Sequence, residues 1–141
     1  LTYYVSVTKN IKTLHSDRYK KICGRNQIEE RIMESTVASL VIPRNIEDVW
    51  DIIEKFHALS AWHPAVVSSE FEEGCTGDVV GAVRRVTLGN GATGTEKLIR
   101  KDSKAYLLTY SFETAPLPVE NYLSTIQLLP TCTPGHTHVV W

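Results

Sequence analysis

Glu96 stands in the middle of an apolar hairpin, where burial would raise its pKa toward neutrality and a cationic neighbour, His63 or Arg84, would oppose that shift. A carboxyl in that position could serve as a general acid or base. It could equally be a carboxylate on the solvent face of a strand, or half of a structural ion pair with Arg84. Arg84 and Arg85 are neighbours on one strand, so their side chains must leave on opposite faces. Parity with Val86 and Leu88 selects Arg84 as the inward one. Tyr122 and Ser124 share a strand face and could reach ligand oxygens directly or through water, or form a cross-strand polar pair.

Other chemistries find no support. No Ser/His/Asp or Cys/His constellation is recognisable, and Gly89 to Gly94 is followed by a strand rather than the helix that a phosphate loop requires. Cys23, Cys75 and Cys132 are far apart, with no Cys-x-x-Cys pair and no His placed to complete a zinc site. They read as free thiols in a reducing, cytoplasmic setting. His136 and His138 would point the same way in a strand but lack a third ligand, so no metal and no cofactor is expected. Trp50 and Trp62 read as core and corner packing rather than as ligand stackers.

The elements that position these groups begin at Thr36 to Ile42, a Val/Leu/Ile-rich strand closed by Pro43. Asn45 can cap the following helix through its side-chain oxygen, and Ile46, Val49, Trp50, Ile53 and Phe56 recur at helical spacing over about three turns. Leu59 to His63 reads as a short second helix ending before Pro64. Strands follow at Ala65 to Phe71, Val79 to Leu88, Thr95 to Arg100, Ala105 to Glu113 and from Asn121 to Leu129, with a last one at His138 to Trp141. Gly89 to Gly94 makes a hairpin loop whose glycines permit positive φ and close backbone approach, with a mobile tip expected.

The 141 residues, 43% hydrophobic and 22% charged, suit a single domain with one core. A net charge of -1 supplies no overall basic field for nucleic acid, and no apolar run approaches the roughly 20 residues of a membrane-spanning helix. Charge is uneven, however: residues 1–32 are basic, and Met33, the single methionine, precedes the first good strand. We therefore expect residues 1–32 to be an extension outside a domain at 33–141, the rival reading being a basic targeting or nucleic-acid arm. Leu1 to Thr8 lacks the apolar segment of a secretory signal. The ending His138-Val139-Val140-Trp141 reads as a strand cut short, because the one long helix is too short to cover a sheet of about six strands.

Val49-Trp50-Asp51-Ile52-Ile53, Trp62-His63-Pro64-Ala65-Val66, Val80-Gly81-Ala82-Val83-Arg84-Arg85, Thr95-Glu96-Lys97-Leu98 and Pro116-Leu117-Pro118-Val119-Glu120-Asn121-Tyr122 together resemble one family. It is the START-like (SRPBCC) superfamily, in its polyketide cyclase/dehydrase branch, with birch pollen allergen and plant abscisic acid receptor folds as relatives. The resemblance runs from about Thr36 to Trp141 and rests on the order of the blocks. It implies an α+β, helix-grip fold: a curved antiparallel sheet around a hydrophobic cavity, gripping a long C-terminal helix that we expect to fall outside this sequence. By position, the receptors' anchoring lysine falls on His63, their cavity glutamate on Glu96, and their pocket tyrosine and serine on Tyr122 and Ser124. Their apolar pocket positions fall on Val86, Leu88, Tyr110 and Phe112.

The departures from the receptors are specific. Asn90-Gly91-Ala92 lacks the gate proline, and Leu117-Pro118 replaces the His-Arg latch, which counts against a receptor that closes on a phosphatase. His63 would be mostly neutral at pH 7 unless a carboxylate such as Glu96 raised its pKa. The expected function is binding of a small, largely hydrophobic, oxygenated ligand, oriented by His63, Arg84, Glu96, Tyr122 and Ser124, with loops Gly89 to Gly94 and Ala115 to Pro118 edging the mouth. A polyketide cyclase- or dehydratase-like enzyme using Glu96 or His63 is the alternative, and a ligand-dependent regulatory module the third possibility.

Overall fold

The computed structural model describes residues 35–141; the basic segment 1–32, Cys23 and Met33 lie outside the described residues. The chain runs β1 (Ser39–Ile42), α1 (Ile46–Ile53), a 3-10 helix (Phe56–Ala61), β2 (Val66–Phe71), β3 (Val83–Leu88), β4 (Thr93–Asp102), β5 (Leu107–Thr114), β6 (Leu123–Pro130) and β7 (Thr137–Val140). These strands form a single curved antiparallel sheet ordered β1-β7-β6-β5-β4-β3-β2, in which β1 returns to pair with β7. No helix follows β7 among the described residues, and none of the described helices is long and apolar enough to cross a membrane.

Alternation places one side chain in two on the concave face. Arg84 and Val86 of β3, Glu96 and Leu98 of β4, Leu108 and Tyr110 of β5, and Ser124, Ile126 and Leu128 of β6 are buried there. Helix α1 lays Val49, Trp50 and Ile53 against the β5–β6–β7 part of this face, joining Leu98, Leu108, Ile126 and Val139 in the main core. A smaller cluster of Leu59, Val66 and Val86 fills the β2–β3 side, and Trp62 packs against both.

Helix α1 ends earlier than the expected three turns. Its last bond runs from the Glu54 N–H to the Trp50 carbonyl, and Lys55 adopts φ -76 and ψ 80, outside the helical region. Phe56 therefore begins the 3-10 helix and is completely buried, although it keeps the apolar spacing of the helix before it. Of the short helix expected over Leu59 to His63, Leu59 to Ala61 belong to this same 3-10 segment, while Trp62 and His63 lie beyond its end. Asn45 occupies the N-cap position but makes no side-chain capping bond; its carbonyl accepts the first helical N–H, from Val49 at 3.2 Å. Lys101 ties the other end of α1 to β4, donating to the Glu54 carbonyl at 3.2 Å and pairing with its carboxylate at 3.2 Å.

Several strand boundaries also move: β1, β5 and β6 begin two or three residues later than expected, at Ser39, Leu107 and Leu123. Strand β3 begins at Val83 rather than Val79, because Gly81 turns the chain with φ +94 and leaves Val79 and Val80 exposed. Hydrogen bonds from the Gly81 N–H to the Leu98 carbonyl and from the Leu98 N–H to the Ala82 carbonyl still hold this turn to β4. The β3–β4 loop is tighter than expected, spanning only Gly89 to Ala92, with Gly91 at φ +84 and the Asn90 side chain accepting the Ala92 N–H.

Gly94 thus belongs to β4, where the second loop presses directly upon it. A methyl group at this position would lie 2.5 Å from Pro116 Cδ and 2.6 Å from the Thr114 carbonyl oxygen. Gly94→Ala is expected to destabilise the protein by about 1 to 3 kcal/mol through this overpacking, read as a lower urea midpoint. An unchanged midpoint would mean that Pro116 does not rest on β4.

Candidate functional site

Arg84 and Glu96 face each other across the β3–β4 ladder, and both are almost wholly buried, at 3% and 5% exposure. Arg84 Nε donates to Glu96 Oε2 at 2.6 Å, and Nη2 lies 2.5 Å from the same oxygen. Nη1 donates to the Phe56 carbonyl, so the early end of α1 supplies the pair with its third fixed partner. The guanidinium lies 4.0 Å from the Phe56 ring centroid and 5.1 Å from that of Tyr110.

Burial raises the Glu96 pKa, and the neighbouring Arg84 opposes the rise without cancelling it. A carboxyl raised in the folded state contributes its stability below its ordinary value of 4.5 and loses it as pH rises through the folded pKa. Ionising Glu96 is therefore less favourable in the fold than in the unfolded chain.

Tyr110 and Ser124 continue the polar row. Burial pushes the Tyr110 phenol far above its ordinary range, with Tyr122 and Glu96 reinforcing the rise and a hydrogen bond with Ser124 opposing it. Ser124 also accepts the Trp141 indole N–H at 2.7 Å. Trp141 stands edge-on to His63, with ring centroids 5.5 Å apart, and Trp62 stands 5.7 Å from Trp141 and 5.9 Å from His63. Tyr122 stacks on Phe112 at 4.2 Å. It precedes β6 instead of lying within it, because Asn121 turns through a positive φ of 52.

His63 does not pair with Glu96, whose Oε2 is engaged by Arg84. Burial lowers the His63 pKa, and the Arg84 charge lowers it further, opposite to the rise that a Glu96 partner would have caused. Its Nδ1 accepts the Ala65 N–H at 3.3 Å, which leaves Nε2 to carry the proton of the neutral ring.

The β3 to β6 geometry thus brings Arg84, Glu96, Val86, Tyr110 and Ser124 together on the concave face, with Leu88, Phe112 and Tyr122 half-buried beside them. Four contributors were not legible as site residues. The Phe56 carbonyl leaves no trace in residue type, Trp62 reads as corner packing, and Trp141 reads as the end of a strand. Ser69 is buried opposite Val86, and its hydroxyl and the Trp62 indole N–H have no partner among the described residues. His136 precedes β7 and bonds the Pro134 carbonyl, so it does not share a strand with His138.

At the edge of the site, His57 is clasped by Asp78. Its Nδ1 lies 3.1 Å from each carboxylate oxygen, its backbone N–H donates at 3.0 Å, and its ring rests on Phe71 at 4.9 Å. This contact holds the 3-10 helix, and with it the neighbouring Phe56 carbonyl, to the loop before β3.

Two outcomes follow for stability. Replacing the pair by apolar groups, Arg84→Met with Glu96→Leu, is expected to leave stability unchanged or raise it by about 1 to 4 kcal/mol, whereas Glu96→Gln alone loses about 3 to 5 kcal/mol by stranding Arg84. Chemical denaturation at neutral pH separates the two, and equal losses would contradict this account. The lowered His63 pKa makes its stability contribution present above pH 6.5 and lost as pH falls through the folded pKa. His63→Gln should flatten that limb of the stability profile; an unaltered profile would place the pH response elsewhere.

Comparison with known proteins agrees with this architecture. The model for the "Polyketide cyclase / dehydrase and lipid transport" family matches residues 33–141. No curated protein gives a match. Among solved structures, the chain is similar to a putative uncharacterized protein of Bacillus thuringiensis at 37% identity and TM-score 0.67, covering 75% of this chain and 73% of the other. It is similar to XoxI from Bacillus cereus at 37% identity and TM-score 0.68, covering 75% and 70%. Norcoclaurine synthase from Thalictrum flavum shares the fold at 16% identity and TM-score 0.59, with 84% and 78% covered. The antiparallel sheet is thus of the START-like, helix-grip type, and the chain belongs to the polyketide cyclase/dehydrase and lipid transport family.

Proposed function

We propose that the concave face binds a small, largely hydrophobic molecule carrying at least one oxygen. The observation that carries this reading is the placement of an ionised pair, Arg84 and Glu96, inside a wall of aromatic and aliphatic side chains. A buried pair of this kind contributes little net stability, so a role in recognition accounts for it better than a role in folding. Family membership supports hydrophobic ligand binding as the general activity. In this reading Val86, Leu88, Tyr110 and Phe112 supply apolar contact, while His63, Arg84, Glu96, Tyr122 and Ser124 orient the ligand's oxygens.

A second reading is proton-transfer catalysis of the cyclase or dehydratase type. It is favoured by one observation, a carboxyl raised by burial and an imidazole lowered by burial, each under the influence of Arg84. Positioning a reactive chain in an apolar cavity would supply much of the acceleration. Turnover whose pH profile moves in His63→Gln would support this reading; a profile indifferent to that change would leave passive binding.

Binding itself is tested with Nile red, an uncharged apolar fluorophore. A saturable blue-shifted emission is expected, with affinity about tenfold weaker in Phe112→Ala and in Tyr122→Ala, which truncate the half-buried stack, and unchanged in Leu129→Ala on the opposite face. Equal affinity in all three variants would remove the concave face from consideration.

A further inference from the structure

The charges of the concave face cancel among themselves, and this restricts what can bind there. Arg84 is the one cation in the group, and Glu96 neutralises it at 2.5 to 2.6 Å. The Nε/Nη2 edge is occupied by Glu96 and one Nη1 N–H by the Phe56 carbonyl; Nη1 and Nη2 each keep a further N–H, but the single positive charge is already matched by Glu96. An incoming carboxylate would thus be buried beside Glu96 without a cation of its own.

Acceptor capacity, by contrast, remains. Both contacts from Arg84 end on Glu96 Oε2, and Oε1 receives no hydrogen bond from any described residue. The neighbouring groups, Tyr110, Ser124 and His63, are uncharged, and burial disfavours the phenolate of Tyr110 and the imidazolium of His63.

We propose that the ligand of this face is an uncharged molecule that presents a hydroxyl to Glu96 Oε1, not a carboxylate seeking Arg84. The proposal rests on the concave face being the binding site, as argued above. It departs from what the position of His63 under the receptors' anchoring lysine would suggest, since burial disfavours the charged form of His63 and, among the described residues, Arg84 is the cation of this face and is paired. The chemical class is an aromatic or alicyclic alcohol or phenol. Its hydroxyl donates to a charge-assisted acceptor while its ring lies among Tyr110, Phe112 and Tyr122.

The test uses the full chain and three probes of nearly equal shape at pH 7: 2-naphthol, 2-methoxynaphthalene and 2-naphthoate. Titration calorimetry should rank 2-naphthol about tenfold tighter than 2-methoxynaphthalene, which lacks the donor, and tighter still than the anionic 2-naphthoate. In the Arg84→Met/Glu96→Leu double variant, chosen because it leaves no stranded charge, the advantage of 2-naphthol over 2-methoxynaphthalene should vanish. Binding of 2-naphthoate as tight as that of 2-naphthol, or of 2-methoxynaphthalene equal to 2-naphthol, would overturn the proposal while leaving an apolar site in place. Binding of none of the three would overturn the site itself. A hydroxyl preference that persists in the double variant would assign the acceptor to a residue other than Glu96.

Discussion

Two opposite charges buried on the β3–β4 side of one sheet face impose the main constraint on this domain. Arg84 and Glu96 are held together by the β3–β4 register, and a one-residue slip of either strand would put the two side chains on opposite faces. Their desolvation is offset only if the remaining donors find acceptors, and the Phe56 carbonyl accepts from Arg84 Nη1 where the strands offer no partner. That requirement reaches into the helical layer. The α-helix ends at Glu54, Lys55 breaks the helical geometry, and Phe56 enters a 3-10 turn with its ring against the guanidinium. Lys101 of β4 fixes the end of α1, and the His57–Asp78 clasp fixes the turn, so a strand and the loop before β3 hold the backbone on either side of one carbonyl.

Much of the sheet was legible because side chains alternate. The split between Arg84 and Arg85 follows from period-two geometry, and Arg85 indeed turns outward to pair with Glu72 at 2.6 Å. The inward placement of Val86, Glu96, Tyr110 and Ser124 follows the same rule. Boundaries were less legible, for reasons that are individually physical. Phe56 keeps helical spacing although the backbone has left the helix, and Gly81 turns the chain just before β3 amid residues that suit a strand. Asn121 adopts a left-handed conformation that removes Tyr122 from β6 without altering the residue pattern.

What sequence could not reveal was pairing across long separations. His63 had three conceivable influences, and the fold chose burial and repulsion from Arg84 over attraction to Glu96. The Trp141 indole reaches Ser124 across the sheet, and Phe56 meets Arg84 through an atom that every residue possesses. Backbone carbonyls and orphaned hydroxyls such as that of Ser69 carry no signature in residue type, yet they help define what the concave face can recognise.

The central claim is that ligand and ion pair meet on the concave face. Nitrogen-edited NMR of the full chain during titration with 2-naphthol tests it most directly, since the Arg84 Nε–H and the Trp62 and Trp141 indole N–H groups report from that face and no other. The account predicts that these resonances shift together and saturate with one binding curve. Saturable binding that perturbs only outward residues such as Val41, Val67 and Leu129, with the Arg84 signal unmoved, would contradict it.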